Sequence, residues 1–242
     1  MELLSSLAIV AVAALLHASF QMSISVLTLL SSHTLGSKHS HKKLLRLIFA
    51  FLGGVGSMTL LLVSFVATVA GALFHASIPM VAWVTLCGLL FGLGISVWLF
   101  YYRKEQGTSL WIPRDMAKYL HDRTRATRNS GEAFGLGLSS VIGELLFIMG
   151  PVLVGAFALV SLTPRWQLVG IALYGFISLL PLLAVTALIG SGHKISRIQA
   201  WRENNKQFLQ FIAGTGLFAL AFYLYVAQVL APAVQAAAGG LQ

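Results

Sequence analysis

The sequence predicts an all-α fold, a six-transmembrane-helix bundle made of two inverted three-helix repeats. Three observations predict it. Of 242 residues, 57% are hydrophobic and only 10% charged, with a mean hydropathy of +0.85, which leaves too little polar surface to cover a soluble domain of this length. The apolar residues fall in six runs of membrane-crossing length. All but one of the 16 Lys and Arg residues lie in three stretches between those runs.

The runs are Leu3 to Leu30, Leu44 to Phe74, Val81 to Tyr101, Ala133 to Leu162, Trp166 to Ile189 and Phe208 to Leu230. Since ~20 residues span a bilayer, each can cross once. Lys38, Lys42, Lys43 and Arg46 form the first basic stretch. Arg103, Lys104, Arg114, Lys118, Arg123, Arg125 and Arg128 form the second, and Lys194, Arg197, Arg202 and Lys206 the third. Short basic loops stay in the cytoplasm, so the turns at His75 to Pro79 and Thr163 to Arg165 are expected outside, as are both termini. This describes a multi-pass protein of the plasma (inner) membrane. It divides into a first three-helix repeat (1–102), a cytoplasmic linker (103–130), and a second repeat with its C-terminal tail (131–242). No positive residue precedes the first run, so no cleavable signal is expected.

Runs one and four exceed what crossing needs, and both carry polar or helix-breaking residues in the middle; broken helices are expected there. In the long loop, Pro113 can open a surface helix with Ile112, Met116, Tyr119 and Leu120 on one face, opposite Arg114, Lys118 and Arg125. Ile195, Ile198 and Trp201 repeat the pattern in the third loop. The terminal AAAGGLQ reads as a disordered tail.

The two halves align. A shift of 127 residues places His17 on Glu144, Phe20 on Phe147 and Met22 on Met149, and Leu90, Phe91 and Leu93 on Leu217, Phe218 and Leu220. A shift of 121 places Gly54 on Gly175 and Ser57 on Ser178. Three spans is an odd number, so a repeated unit must enter the membrane in opposite orientations, as transporter repeats do.

Glu144 is the strongest pointer to function. The other six acids fall at ends or in loops, whereas Glu144 sits deep in an apolar run, where an ionised carboxylate would cost several kcal/mol unless paired or wet. His17 is the comparably deep histidine, and with Gln21, Ser25 and Thr28 it forms one polar stripe. Ser140 and Glu144 form a shorter one. Met22 and Met149 are soft groups beside His17 and Glu144, so these four are the candidate metal ligands. Gly150-Pro151 removes a backbone donor just after Glu144, predicting a partly unwound site. The candidate substrate-binding residues are therefore His17, Gln21, Ser25, Glu144 and Pro151. Two small-residue ladders, Gly135, Ser139, Gly143, Pro151 and Gly155, and Gly88, Gly92 and Ser96, read as helix packing. His33, His39 and His41 stand among lysines that repel cations. Cys87, alone in the chain, permits no internal disulfide, CxxC motif or cysteine zinc site.

In topology and in the segment GLGLSSVIGELLFIMGPVLVGA, Gly135 to Ala156, the chain resembles the CcdA/DsbD membrane thiol-disulfide carriers and the wider LysE-type exporter superfamily. In the carriers each half supplies a redox cysteine. Here Ile148 and Gln21 occupy those positions, so the resemblance implies the scaffold without the redox chemistry: two inverted units, spans one and four crossing centrally, and alternating access to a midplane site. Nickel and cobalt exporters of that group carry histidine and acids in their first span. His17 is similar, but the accompanying aspartates are absent.

The function expected is non-enzymatic transport, as an exporter of a small solute or metal ion, coupled to protons or metal ions with no tightly bound cofactor. The alternative is a redox-inactive docking or assembly protein. An electron carrier built on Cys87 ranks last, because Cys87 lies outside both motif spans. The partners expected are the lipid bilayer and a small-molecule or ion substrate, with a homo-oligomer or a membrane partner protein left open. Nucleic acid is not expected, because the +9 charge sits in membrane-flanking loops.

Overall fold

The computed structural model describes residues 3–20, 26–27, 41–75, 77–100, 114–191 and 195–239, and among them every regular element is helical. In chain order these are α1 (Leu3–Ser19), α2 (His41–Phe74), α3 (Met80–Phe100), α4 (Arg114–Ala126), α5 (Ser130–Val160), α6 (Pro164–Gly190), α7 (Ile195–Asn204) and α8 (Lys206–Leu224). After α8 a π-helical turn, Tyr225–Leu230, leads into α9 (Ala231–Gly239). Five helices are long and apolar enough to cross a membrane, and large apolar side chains such as Phe49, Phe65, Leu99, Leu168 and Phe222 point outward from them. An outward apolar face on a crossing-length helix is a lipid-contacting face. The chain is thus a multi-span helical membrane protein.

α1 is apolar but has only 17 residues, about 25 Å of helix against a hydrocarbon core of ~30 Å. It stops where the first long run was expected to break. Ser19 Oγ donates to the Leu16 carbonyl at 2.6 Å, and the Phe20 N–H donates to the His17 carbonyl at 3.1 Å, so the last turn tightens and two end carbonyls are satisfied locally. Gln21, Met22, Ser25 and Thr28 lie outside the described residues, as do His33 and His39.

α5 corrects the expectation of an unwound site. It runs unbroken through Gly150 and Pro151 for 31 residues. Pro151 does remove the N–H that would meet the Phe147 carbonyl. One missing bond is tolerated because neighbouring helices enclose the segment: Ile148, Gly150, Pro151 and Val152 are all buried. Its start is fixed by a capping box. The Asn129 side chain accepts from the Glu132 N–H at 2.9 Å, while Glu132 reaches back to the Asn129 N–H at 3.4 Å.

Helices are present in the second and third loops as α4 and α7, with Leu120 and Ile198 buried but Tyr119 and Trp201 exposed; Ile112 and Pro113 lie outside the described residues. The predicted tail is corrected too. Helix continues to Gly239, as an alanine-rich run allows. The π-turn before it was not foreseen; Pro232 has no N–H for the Gln228 carbonyl, which lets the ladder widen to i→i+5 bonding just upstream.

α1 and α5 pack at the centre, in antiparallel register. Leu7 and Leu159 meet over Gly170 of α6, and Phe20 stacks on Phe147 with ring centroids 6.0 Å apart. α2 packs on α5 at closest backbone approach: a Cβ on Gly54 would strike the Phe134 carbonyl oxygen, and one on Gly137 the Phe51 carbonyl oxygen. α2 also packs on α6, with Gly56 against Leu179 and Gly175 against Leu60. α3 packs on α8 through Trp98, Phe211, Phe91 and Phe218. The small-residue ladders divide in use. A Cβ added to Gly155 would come within 2.9 Å of the Tyr174 ring, whereas Gly88, Gly92 and Gly135 have nothing within 4 Å of an added Cβ.

Candidate functional site

The site is built on α1, α5 and α6. An apolar helix buries a polar side chain only if the group finds a partner, because a lost hydrogen bond in a dry core costs a large fraction of total stability. His17 is 2% exposed, near the end of α1, and its Nδ1 lies 3.0 Å from the Tyr174 hydroxyl of α6. The two rings meet edge to face, centroids 5.6 Å apart. Tyr174 is fully buried and occupies the slot left by Gly155 on α5, so one tyrosine links three helices. Which atom of the His17–Tyr174 pair carries the bridging proton depends on the imidazole tautomer, and Nε2 takes the complementary role toward any further group.

Glu144 is also 2% exposed, on α5, one helical turn before Phe147. Ser140, a turn further back, is buried with its hydroxyl donated to the Gly137 carbonyl at 2.8 Å. The predicted Ser140–Glu144 stripe therefore faces the interior. In the antiparallel register set by Leu7 with Leu159 and Phe20 with Phe147, His17 stands level with the Gly150 region of α5. That is about six residues, or roughly 9 Å, beyond Glu144 along the helix. In this register the two titratable groups lie on opposite sides of the Phe20–Phe147 stack along the helix axis. Phe20 and Phe147 are themselves 5% and 7% exposed, so the stack closes the space between them.

Of the other predicted residues, Pro151 is fully enclosed and Met149 partly so. Ile148, at a carrier cysteine position by resemblance, is completely buried. Cys87 is a free cysteine buried in α3. Among the described residues no three His, Cys, Asp or Glu side chains cluster in a way that would hold a metal ion. Sequence reasoning missed Tyr174. The available signal was a tyrosine in mid-run, because a buried phenol needs a partner for its hydroxyl.

No family model, curated protein or solved structure matches the chain.

Proposed function

We propose that the protein is an alternating-access membrane transporter, an exporter of a small solute coupled to proton movement, with its midplane site between α1 and α5. The observation that carries this reading is the pair of buried titratable groups, His17 and Glu144, on either side of an aromatic stack at the crossing of two central helices. Intramembrane ionisable groups are expensive and mark ion or substrate pathways. Glu144 would take up or release a proton, or neutralise a cationic substrate. His17, held by Tyr174, would present Nε2 to the substrate, with Gln21 and Ser25 as further polar contacts and Pro151 shaping the α5 wall.

The helix contacts support an inverted repeat. The residues that meet at the crossings are the ones the sequence shift pairs: Phe20 touches Phe147, and Phe91 touches Phe218 with centroids 5.5 Å apart. The α2–α6 crossing, bounded by Gly56 with Leu179 and Leu60 with Gly175, centres within a residue of Ser57 and Ser178. Two further sets of contacts form related pairs, α2 on α5 with α6 on α1, and α1 on α8 with α5 on α3. A pseudo-two-fold axis through the three self-paired crossings accounts for all of these at once. Such an axis, lying in the membrane plane, makes inward and outward states equivalent by exchange of the two repeats. The basic loops place α4 and α7 in the cytoplasm and both termini outside an inner membrane.

Docking is the second reading. The observation favouring it is the outward stripe of Gly88 and Gly92 on α3, open to another helix.

Transport predicts water access from both sides. On a Cys87→Ser background, single cysteines at Gln21 and Ile148 should label with membrane-impermeant thiol reagents, at rates that change with pH. In proteoliposomes, Glu144→Gln should insert normally and abolish the pH dependence of substrate flux. Substrates are found first by thermal stabilisation across a panel of amino acids, thiols and metals. Complete inertness of both cysteines under every condition, together with an unaltered Glu144→Gln protein, sinks the transport reading in favour of docking.

A further inference from the structure

A cavity lies between α4 and the first turns of α5. Its volume is about 370 Å³. Arg123 and Tyr119 form its α4 wall, with the guanidinium carbon 6.0 Å from the centre of the tyrosine ring. Glu132, Gly135, Leu136 and Ser139 form its α5 wall. From Glu132 to Ser139 is seven residues of helix, about 10 Å, so the cavity begins among charges at the mouth of a crossing helix and descends into its apolar length. Gly135 leaves the lower part open, since nothing lies within 4 Å of where its Cβ would stand. Ser139 donates its hydroxyl to the Gly135 carbonyl at 2.9 Å, which leaves that stretch without a side-chain donor.

A charged head above an apolar slot is the shape of a phospholipid site. The head chemistry is specific. Arg123 offers a planar donor fork suited to a phosphodiester. Glu132 offers a carboxylate whose Oε2 takes both capping bonds, from the Arg128 N–H at 2.6 Å and the Asn129 N–H at 3.4 Å. One cation and one carboxylate across a small cavity match a zwitterion. A primary ammonium can donate to Glu132, whereas a trimethylammonium cannot, and the Tyr119 face that might receive one already carries Arg123. An anionic head without an amine would meet the Glu132 charge unpaired.

We propose that the cavity between α4 and α5 is a binding site for an ethanolamine-type phospholipid, its phosphate on Arg123, its ammonium on Glu132, and one acyl chain in the slot over Gly135. The site anchors α4 to the start of α5 through a membrane lipid and is independent of the transport reading.

The test uses the full chain, purified and delipidated in detergent, titrated with short-chain phosphatidylethanolamine, phosphatidylcholine, phosphatidylglycerol and soluble phosphoethanolamine, and read by native mass spectrometry and thermal unfolding. Phosphatidylethanolamine should bind with 1:1 saturation and on the order of tenfold more tightly than the other two lipids. Soluble phosphoethanolamine should bind far more weakly than the lipid, because it leaves the slot empty. Gly135→Leu, which fills open space, should fold normally and weaken the lipid on the order of tenfold, as should the exposed Arg123→Gln. Glu132→Gln keeps a capping-box side chain while removing the charge, so it should erase the preference for the ethanolamine head over phosphatidylglycerol. Equal binding of all three lipids, unweakened binding by both Gly135→Leu and Arg123→Gln, or phosphoethanolamine binding as tightly as the lipid would overturn the assignment.

Discussion

α1 and α5 are the two central helices, related by the sequence shift that places Phe20 on Phe147, yet they treat the membrane differently. α5 contains a proline and runs unbroken for 31 residues; α1 contains none and stops after 17. The difference teaches that continuity in a bilayer depends less on the breaker than on the surroundings. α5 is gripped along its length: Gly137 receives the α2 backbone, Gly150 receives Leu90 and Leu93, each 2.9 Å from where its Cβ would stand, and Gly155 receives Tyr174. A capping box fixes its start. The last turn of α1 is closed by local bonds instead, the Ser19 hydroxyl on the Leu16 carbonyl and the Phe20 N–H on the His17 carbonyl. The comparison predicts that, within the α1–α5 pair, α5 is the more firmly held member and the end of α1 the more adjustable one.

The sharpest way to break that comparison is to loosen α5. A side chain at Gly137 would collide with the Phe51 carbonyl oxygen and approach the Val55 nitrogen to 2.9 Å and the Gly54 Cα to 3.1 Å. These are backbone atoms and cannot rotate away. Gly137→Leu should therefore separate α2 from α5 and cost about 3 kcal/mol or more, seen as lost folded protein in size-exclusion chromatography and a lower unfolding temperature. Gly135→Leu, two residues earlier, should leave both unchanged. If the two variants behave alike, α5 is not held by its contact with α2.

Much of this arrangement was legible in the sequence, for identifiable reasons. Apolar run length gave the helices, because in lipid the backbone must satisfy its own hydrogen bonds. The shift of 127 residues pairs Phe20 with Phe147 and Phe91 with Phe218, and both pairs are in ring contact where helices cross. His17 and Glu144 stood out by charge alone. Three features were not legible. The continuity of α5 at Pro151 depends on Leu90, Leu93 and Tyr174, which come from distant segments. Tyr174 matched nothing in the repeat, and its role depends on a slot at Gly155 that no local pattern announces. The lipid cavity needs α4 to lie against α5, a tertiary fact.

The second test sharpens the comparison from the α1 side. Tyr174→Phe keeps the ring in its slot and removes only the hydroxyl bonded to His17 Nδ1. Leaving a buried imidazole nitrogen without that partner should cost about 1–3 kcal/mol. If α1 is the adjustable member, the loss should be local: faster hydrogen exchange in the last turns of α1, with α5 amides protected as before. Equal loss of protection in both helices would show that they open as one unit.

The smallest effect is expected at Pro151. Pro151→Ala supplies the N–H that the Phe147 carbonyl lacks, and alanine is the best helix former. If α5 were unwound at this point, the substitution would rewind it, reshape the site beside Glu144 and move both stability and transport together. Because the helix is already continuous, the gain should be confined to one hydrogen bond, about 1 kcal/mol, seen as an upward shift of a few degrees in the unfolding temperature. On the transport reading proposed above, Glu144 is unaltered by this change, so flux in proteoliposomes should retain its pH dependence. A fall in stability would mean that the proline relieves strain that alanine cannot. Lost flux at unchanged stability would instead make Pro151 part of the substrate path.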